Sequence, residues 1–378
     1  MMKHFALVVS VFLTLVSGFA AGQVPGRVQF DWGVNFDYIF HNEEFSDGSE
    51  LFDLSGTLHA ARLTPEAGVK VEQGFGSVTH RLMLGVDIFK QMGQGVQNTG
   101  LFKEMTLYYD VRARLKRESV LECTVGCFPR SRMRTLEYLG PFFSDRNLYL
   151  DNNIEGMLFK YSGRKLYAEL ALDWLGMHGQ ADDEPSRRER FQVLSSGRWN
   201  FAGEFELGWT GVFYHFANSY EVHNIVDNHS LNPWLGWRGR RTWFDEISVN
   251  AGVLYGYQWA RDDEDAPRNL VGFFSRQQLS KWHLGLRNAF YFGPDLQPFL
   301  EGYGTDLYSG DPCYHTYRTD ASWTDQLSVY YNPFIGRRIQ LYVALNFHLG
   351  QGREATSLTP AIPVFRGWEQ VFTVKFEI

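Results

Sequence analysis

From Val28 to Phe40 every even position is apolar (Val28, Phe30, Trp32, Val34, Phe36, Tyr38, Phe40), with Gln29, Asp31, Gly33, Asn35 and Asp37 between them. A period of two places the apolar set on one face of an extended strand. The alternation returns with odd parity at Thr57, Ala61, Leu63, Ala67, Val69 and Val71, opposite Arg62, Thr64, Glu66, Lys70 and Glu72. A tight Gly74-Phe75-Gly76 turn resets it for Val78, Leu82, Leu84, Val86 and Ile88. Carried on to Ile378, the pattern predicts an all-β chain, a single transmembrane antiparallel β-barrel of about 16 strands.

Further short turns are predicted at Lys116 to Ser119, Ser162 to Lys165, Arg198 to Asn200, Arg238 to Arg241, Leu279 to Lys281 and Asn332 to Arg338. Longer connections fall between them, near His41 to Glu50, Gln91 to Gly100, Pro129 to Asn152, Gly176 to Arg187, Ala217 to Asn224, Ala260 to Asn269, Gly293 to Pro312 and Gly350 to Ile362. Strict alternation of short and long connections is the habit of outer-membrane barrels, and an even strand count puts both termini on the periplasmic side. Tyr317, Ala321, Trp323, Leu327, Val329 and Tyr331 keep one parity, so Tyr314 to Tyr331 reads as one long strand. A barrel running from residue 28 to the last residue predicts no plug and no periplasmic domain.

Residues 1–22 have the parts of a cleaved signal peptide: Lys3 and His4, an apolar run from Phe5 to Val16, and the small-residue segment Ser17 to Gly22. Residues 23–378 are then the barrel domain. A formal charge of −7 argues against nucleic acid as a partner. Aromatic residues make up 16% of the chain while mean hydropathy is −0.28, and no later apolar run is long enough for a spanning helix. Three cysteines form no disulfide framework. Cys123 and Cys127 share a face of one predicted strand, roughly 13 Å apart, and read as lipid-facing packing residues; nothing assigns a role to Cys313.

The last strand carries Trp368, Phe372, Val374, Phe376 and Ile378 on one face and Glu369, Thr373, Lys375 and Glu377 on the other. It resembles the terminal strand that the barrel-assembly machinery reads, although that signal usually ends in phenylalanine. In architecture the chain resembles general porins, and Pro129 to Asn152, the third long loop, matches the loop that folds into the porin lumen. The phrases Leu172-Asp173-Trp174-Leu175-Gly176-Met177, Arg188-Glu189-Arg190-Phe191 and Leu307-Tyr308-Ser309-Gly310-Asp311-Pro312 resemble an uncharacterised family of outer-membrane barrels of gut-type Gram-negative bacteria. These resemblances imply a Gram-negative outer-membrane location. They imply outer-membrane lipid and lipopolysaccharide as neighbours and the assembly machinery as a partner during biogenesis. They are compatible with a homo-oligomer and imply no chemistry.

Lipid-deacylating barrels place a His and a Ser two apart on one outward strand face, because nucleophile and base must lie within hydrogen-bond reach. None of the eleven histidines is followed by Ser two residues later, and the adjacent His229 and Ser230 face opposite sides of a regular strand. His178 with Asp182, Asp183 and Glu184 resembles an omptin rim only superficially, since omptins are smaller barrels. Asp262 to Asp265 lacks the spacing of a calcium loop. Glu169 and Asp173 lie roughly 13 Å apart along a strand, too far for a glycosidase pair. The expectation is therefore a non-enzyme without catalytic residues, metal or cofactor.

Arg62, Glu66, Lys70, Glu104, Asp110, Arg112, Glu169 and Asp173 read as lumen-wall charges. The third loop concentrates Arg130, Arg132, Arg134, Arg146, Asp145 and Asp151 around Tyr138, Phe142 and Phe143, the composition of a pore constriction. The same composition fits an ordered surface loop outside the channel. The function expected is passive passage of small hydrophilic solutes; the alternative is a closed structural or assembly-accessory barrel working through protein partners.

Overall fold

In a computed structural model the chain closes into a sixteen-stranded barrel in which every strand pairs antiparallel with its sequence neighbours and β1 pairs with β16. The structure describes residues 27–45, 56–73, 77–93, 101–115, 118–134, 142–143, 145–176, 189–217, 225–241, 243–261, 267–294, 321–333, 338–352, 354, 356, 361 and 363–378. The strands are β1 (Arg27–Phe45), β2 (Gly56–Gln73), β3 (Val78–Gln91), β4 (Phe102–Arg114), β5 (Val120–Pro129), β6 (Asn153–Ser162), β7 (Leu166–Gly176) and β8 (Arg190–Ala202). They continue as β9 (Phe205–Phe216), β10 (Val226–Arg241), β11 (Phe244–Ala260), β12 (Arg268–Lys281), β13 (Leu284–Gly293), β14 (Ser322–Tyr331), β15 (Ile339–Gly350) and β16 (Phe365–Glu377). One short helix, α1 (Asp145–Leu150), lies between β5 and β6.

The pleat turns the sequence alternation into two surfaces. Val28, Phe30 and Trp32 of β1, Leu82 and Leu84 of β3, and Met105 and Leu107 of β4 stand outward and exposed. Uncovered apolar area costs about 25 cal/mol per Å² in water, so such a continuous face suits hydrocarbon. Among the described residues no helix is long and apolar enough to cross a membrane. Closure is set by register: Phe36 lies opposite Phe376 and Phe40 opposite Phe372, and Val34 and Ile378 exchange backbone hydrogen bonds of 3.1 and 3.0 Å. A barrel closed in this way has no edge strand left to aggregate.

Three turns fall later than expected. The turn placed at Arg198 to Asn200 lies at Gly203-Glu204, where Gly203 has φ +58°. Arg198 and Asn200 are inner-face residues of β8, and Trp199 and Phe201 carry the outward alternation past them. Likewise β10 continues through Arg241, and β12 through Lys281, turning at Trp282-His283 with φ of 49° and 70°. Polar inner-face residues look like turn residues wherever a strand outlasts the hydrocarbon layer. The signal peptide, the Gly74-Phe75-Gly76 turn, Tyr317, Cys313, His178, Asp182 to Glu184 and Asp262 to Asp265 lie outside the described residues.

Cys123 and Cys127 are free thiols, and Gly126 between them has φ +122°. A Cβ on Gly126 would lie 2.2 Å from the Leu107 carbonyl oxygen. Gly126→Ala should therefore destabilise the folded barrel by at least ~2 kcal/mol through backbone strain and overlap. Urea unfolding in detergent measures it; an unchanged midpoint would contradict the geometry.

Candidate functional site

The segment after β5 turns inward instead of leaving the barrel. Pro129 removes a ladder donor and Arg130–Arg132 form one 3₁₀ turn. Arg130, 3% exposed, donates from Nη2 to Asp151 (2.7 Å), to the Asn153 carbonyl (2.9 Å) and to Asp173 of β7 (2.9 Å), and its Nε reaches the Asp151 carbonyl. Asp173 also accepts from Gln192 Nε2 and from the Glu155 N–H. Two carboxylates and two carbonyls thus surround one buried guanidinium, the arrangement in which a buried ion pair persists.

Two further fastenings follow along the chain. Arg132 pairs with Asp110 of β4 at 2.8 Å and lies over the Tyr108 ring, while Lys160 of β6 holds its carbonyl. Arg134 reaches Glu169 of β7 through its backbone N–H at 3.0 Å, and its guanidinium lies over the Tyr167 ring. Glu169 also accepts from Tyr167 and Ser196. Met133, Phe142 and Phe143 are buried in one apolar cluster with Phe128, Ile154 and Leu158 nearby and Leu194, Leu254, Phe274 and Tyr291 from β8 and β11 to β13. The segment therefore meets inward side chains from many strands.

Helix α1 is tied to the opposite part of the wall. Arg62 donates to Asp87 at 2.9 Å and to the Tyr149 carbonyl at 2.7 Å. Burial, with the charges of Asp145 and Glu369 beside it, holds the Tyr149 phenol well above its ordinary range, so it stays a neutral donor. Asp145 lies in the first turn of α1. Arg146 belongs to the same helix, but its side chain is outside the described residues.

The other residues expected on the lumen wall have the following partners. Glu66 accepts from Tyr108 at 2.6 Å, Lys70 pairs with Glu72, Arg112 with Glu122, and Glu104 accepts from Asn153. Arg112 and Glu122 pair between β4 and β5, Lys70 and Glu72 pair within β2, and Glu66 and Glu104 are held by neutral donors from other strands.

A second polar group sits on the outward face, at the long-loop ends of β1 and β2. Asn42 lies opposite Thr57 and Phe40 opposite His59. The Thr57 hydroxyl donates to Asn42 Oδ1 at 2.6 Å, and Tyr38 Oη is 2.6 Å from His59 Nε2. Thr57 and His59 are two apart on one face, as a nucleophile and its base must be on a strand. A search for His-x-Ser misses them because the order is reversed and the hydroxyl is a threonine's. The available signal was two polar side chains among the apolar residues of β2.

A protein-family model described as Lipid A 3'-O-deacylase-type matches residues 28–362. The chain belongs to that family. Membership overturns the expectation of a non-enzyme, one ground of which was a search for a hydroxyl and an imidazole in a single order. No curated protein matches the chain. The fold is similar to the anion-selective porin from Comamonas acidovorans, with TM-score 0.52 and 11% identity over 93% of this chain and 100% of that one. It is also similar to Salmonella typhi OmpF in complex with daunomycin, with TM-score 0.49 and 10% identity over 92% and 97%. At 11% identity the likeness to the Comamonas porin is one of fold alone.

Proposed function

We propose that the protein is an outer-membrane channel of a Gram-negative cell, exported by its leader and passing small hydrophilic solutes through a bore narrowed by residues 129–152. The observation that carries this is the fastening of Arg130 and Arg132 to wall carboxylates while Met133 and Phe142 pack inside the barrel. Paired charges beside an apolar cluster make a narrow constriction, partly wetted and partly dry. Small discrete conductance steps are expected from purified protein in planar bilayers. Electrically silent insertions would favour the closed, partner-dependent barrel instead.

The outward rim group favours a second activity on the same scaffold, hydrolysis of an ester-linked acyl chain of a membrane lipid, in keeping with the family description. With Nε2–H donating to Tyr38, His59 Nδ1 is free to take the Thr57 proton as Oγ1 attacks the ester carbonyl. The proton then passes to the departing sugar or glycerol oxygen, and water releases the fatty acid. Thr57 leaves Asn42 by rotation about χ1 to reach the base.

A further inference from the structure

The outward face of β12 to β14 carries amide and carboxylate side chains at positions where the alternation calls for apolar ones. Parity is unbroken through both ladders, so Phe273 of β12, Leu286 of β13 and Leu327 and Val329 of β14 all stand outward and exposed. Gln277, Asn288 and Asp325 share that parity. Gln277 lies opposite Asn288, and Asn288 lies opposite Leu327. Trp323 and Tyr331 mark the two ends of this face on β14, roughly 21 Å of membrane height apart for a strand tilted about 40°. Leu327 is midway between them in the chain, which puts Asn288 and Gln277 near the middle of the hydrocarbon.

Within one chain these groups are only partly satisfied. Asn288 Nδ2 donates to Asp325 Oδ1 at 2.7 Å, and Gln277 Nε2 donates to the Ser275 hydroxyl at 3.0 Å. Among the described residues these are the only polar partners of the three side chains. Each amide therefore keeps a second N–H and its carbonyl oxygen, and Asp325 keeps Oδ2, facing acyl chains that hold neither donor nor acceptor. A polar group left unpaired in hydrocarbon is costly, and an ionisable one on a lipid-facing strand is destabilising. Lipid leaves that cost standing, whereas a protein face with matching groups at the same depth removes it.

We propose that Gln277, Asn288 and Asp325 dock a second copy of this chain across a two-fold axis along the membrane normal. The set is self-complementary, because the amides both donate and accept while the carboxylate accepts, and an isologous interface needs that property of a single patch. An axis passing beside Asn288 sets β14 of each copy against β12 of the other. Asp325 then accepts from the unused N–H of Gln277 in the second copy, and the two Asn288 amides pair with one another. Phe273, Leu286 and Leu327 pack around these bonds. The two lumens and the rim group of β1 and β2, which lies beyond β15 and β16 around the wall, stay uncovered.

Sedimentation equilibrium of the full-length protein in density-matched detergent should give two chains per particle, and photobleaching of singly labelled chains in lipid vesicles should proceed in two steps. Asn288→Leu and Gln277→Leu should each weaken self-association at least tenfold, while Leu107→Ala, on the outward face of β4, should not. Heat-modifiable migration checks that each variant is folded. Should Asn288→Leu fail to fold, Gln277→Leu carries the test, because inside one chain it gives up only a hydrogen bond to a serine of its own strand. A monomeric wild type, any stoichiometry other than two, or unchanged association in folded Gln277→Leu overturns the interface. One-to-one association of a single copy with a different barrel through this face overturns it as well.

Discussion

Replacing Arg130 by alanine should enlarge single-channel conductance several-fold and shift the reversal potential toward cations while leaving the barrel folded. Arg130 is the cation shared by Asp151 and Asp173, and it also ties the Asp151 and Asn153 carbonyls. Removing one partner of a buried pair costs about 3–5 kcal/mol, because the other is left uncompensated. That cost falls on the docking of the segment and not on the strand ladders, which close the barrel independently. The freed segment then obstructs less of the bore, and two carboxylates are added to its wall without their counter-charge. Arg130→Ala with Asp173→Asn should bring the reversal potential back toward the wild-type value but not the narrower conductance. Wild-type conductance and ion preference in a folded Arg130→Ala variant would show that the segment does not set the constriction.

If the rim group is a hydrolytic site, Thr57→Ala and His59→Ala should each lower fatty-acid release from lipid A in mixed micelles by at least ~10³-fold, the scale seen when a nucleophile or its base is removed. Mass spectrometry of the lipid reads both the lost acyl chain and its position. Tyr38→Phe should cost less, since it removes only the hydroxyl that fixes the His59 tautomer. The channel should be indifferent to all three, because these side chains point away from the lumen. Hydrolysis that survives in Thr57→Ala would move the nucleophile elsewhere; a wild type that releases no fatty acid would remove the second activity altogether.

The sequence by itself determined the strand count and the inward and outward parity, whereas the first long connection, expected from His41, begins only after Phe45, because the β1–β16 ladder carries the strand on past the apolar residues. Count and parity follow from a local period of two, which a pleated strand reads without help from its neighbours. The inner-face charges were legible for the same reason, as Arg62, Asp110 and Asp173 illustrate. Only the tertiary structure decided which charges meet. Arg130 finds Asp173 because the chain turns inward at the end of β5 while β7 lies two strands along the wall, and Thr57 finds Asn42 because of the β1–β2 register. His41 and Glu369 become neighbours because the first strand closes on the last. Alternation fixes the face on which a side chain stands, but its partner across the strands depends on register and closure, which are set by hydrogen bonds between segments far apart in the chain.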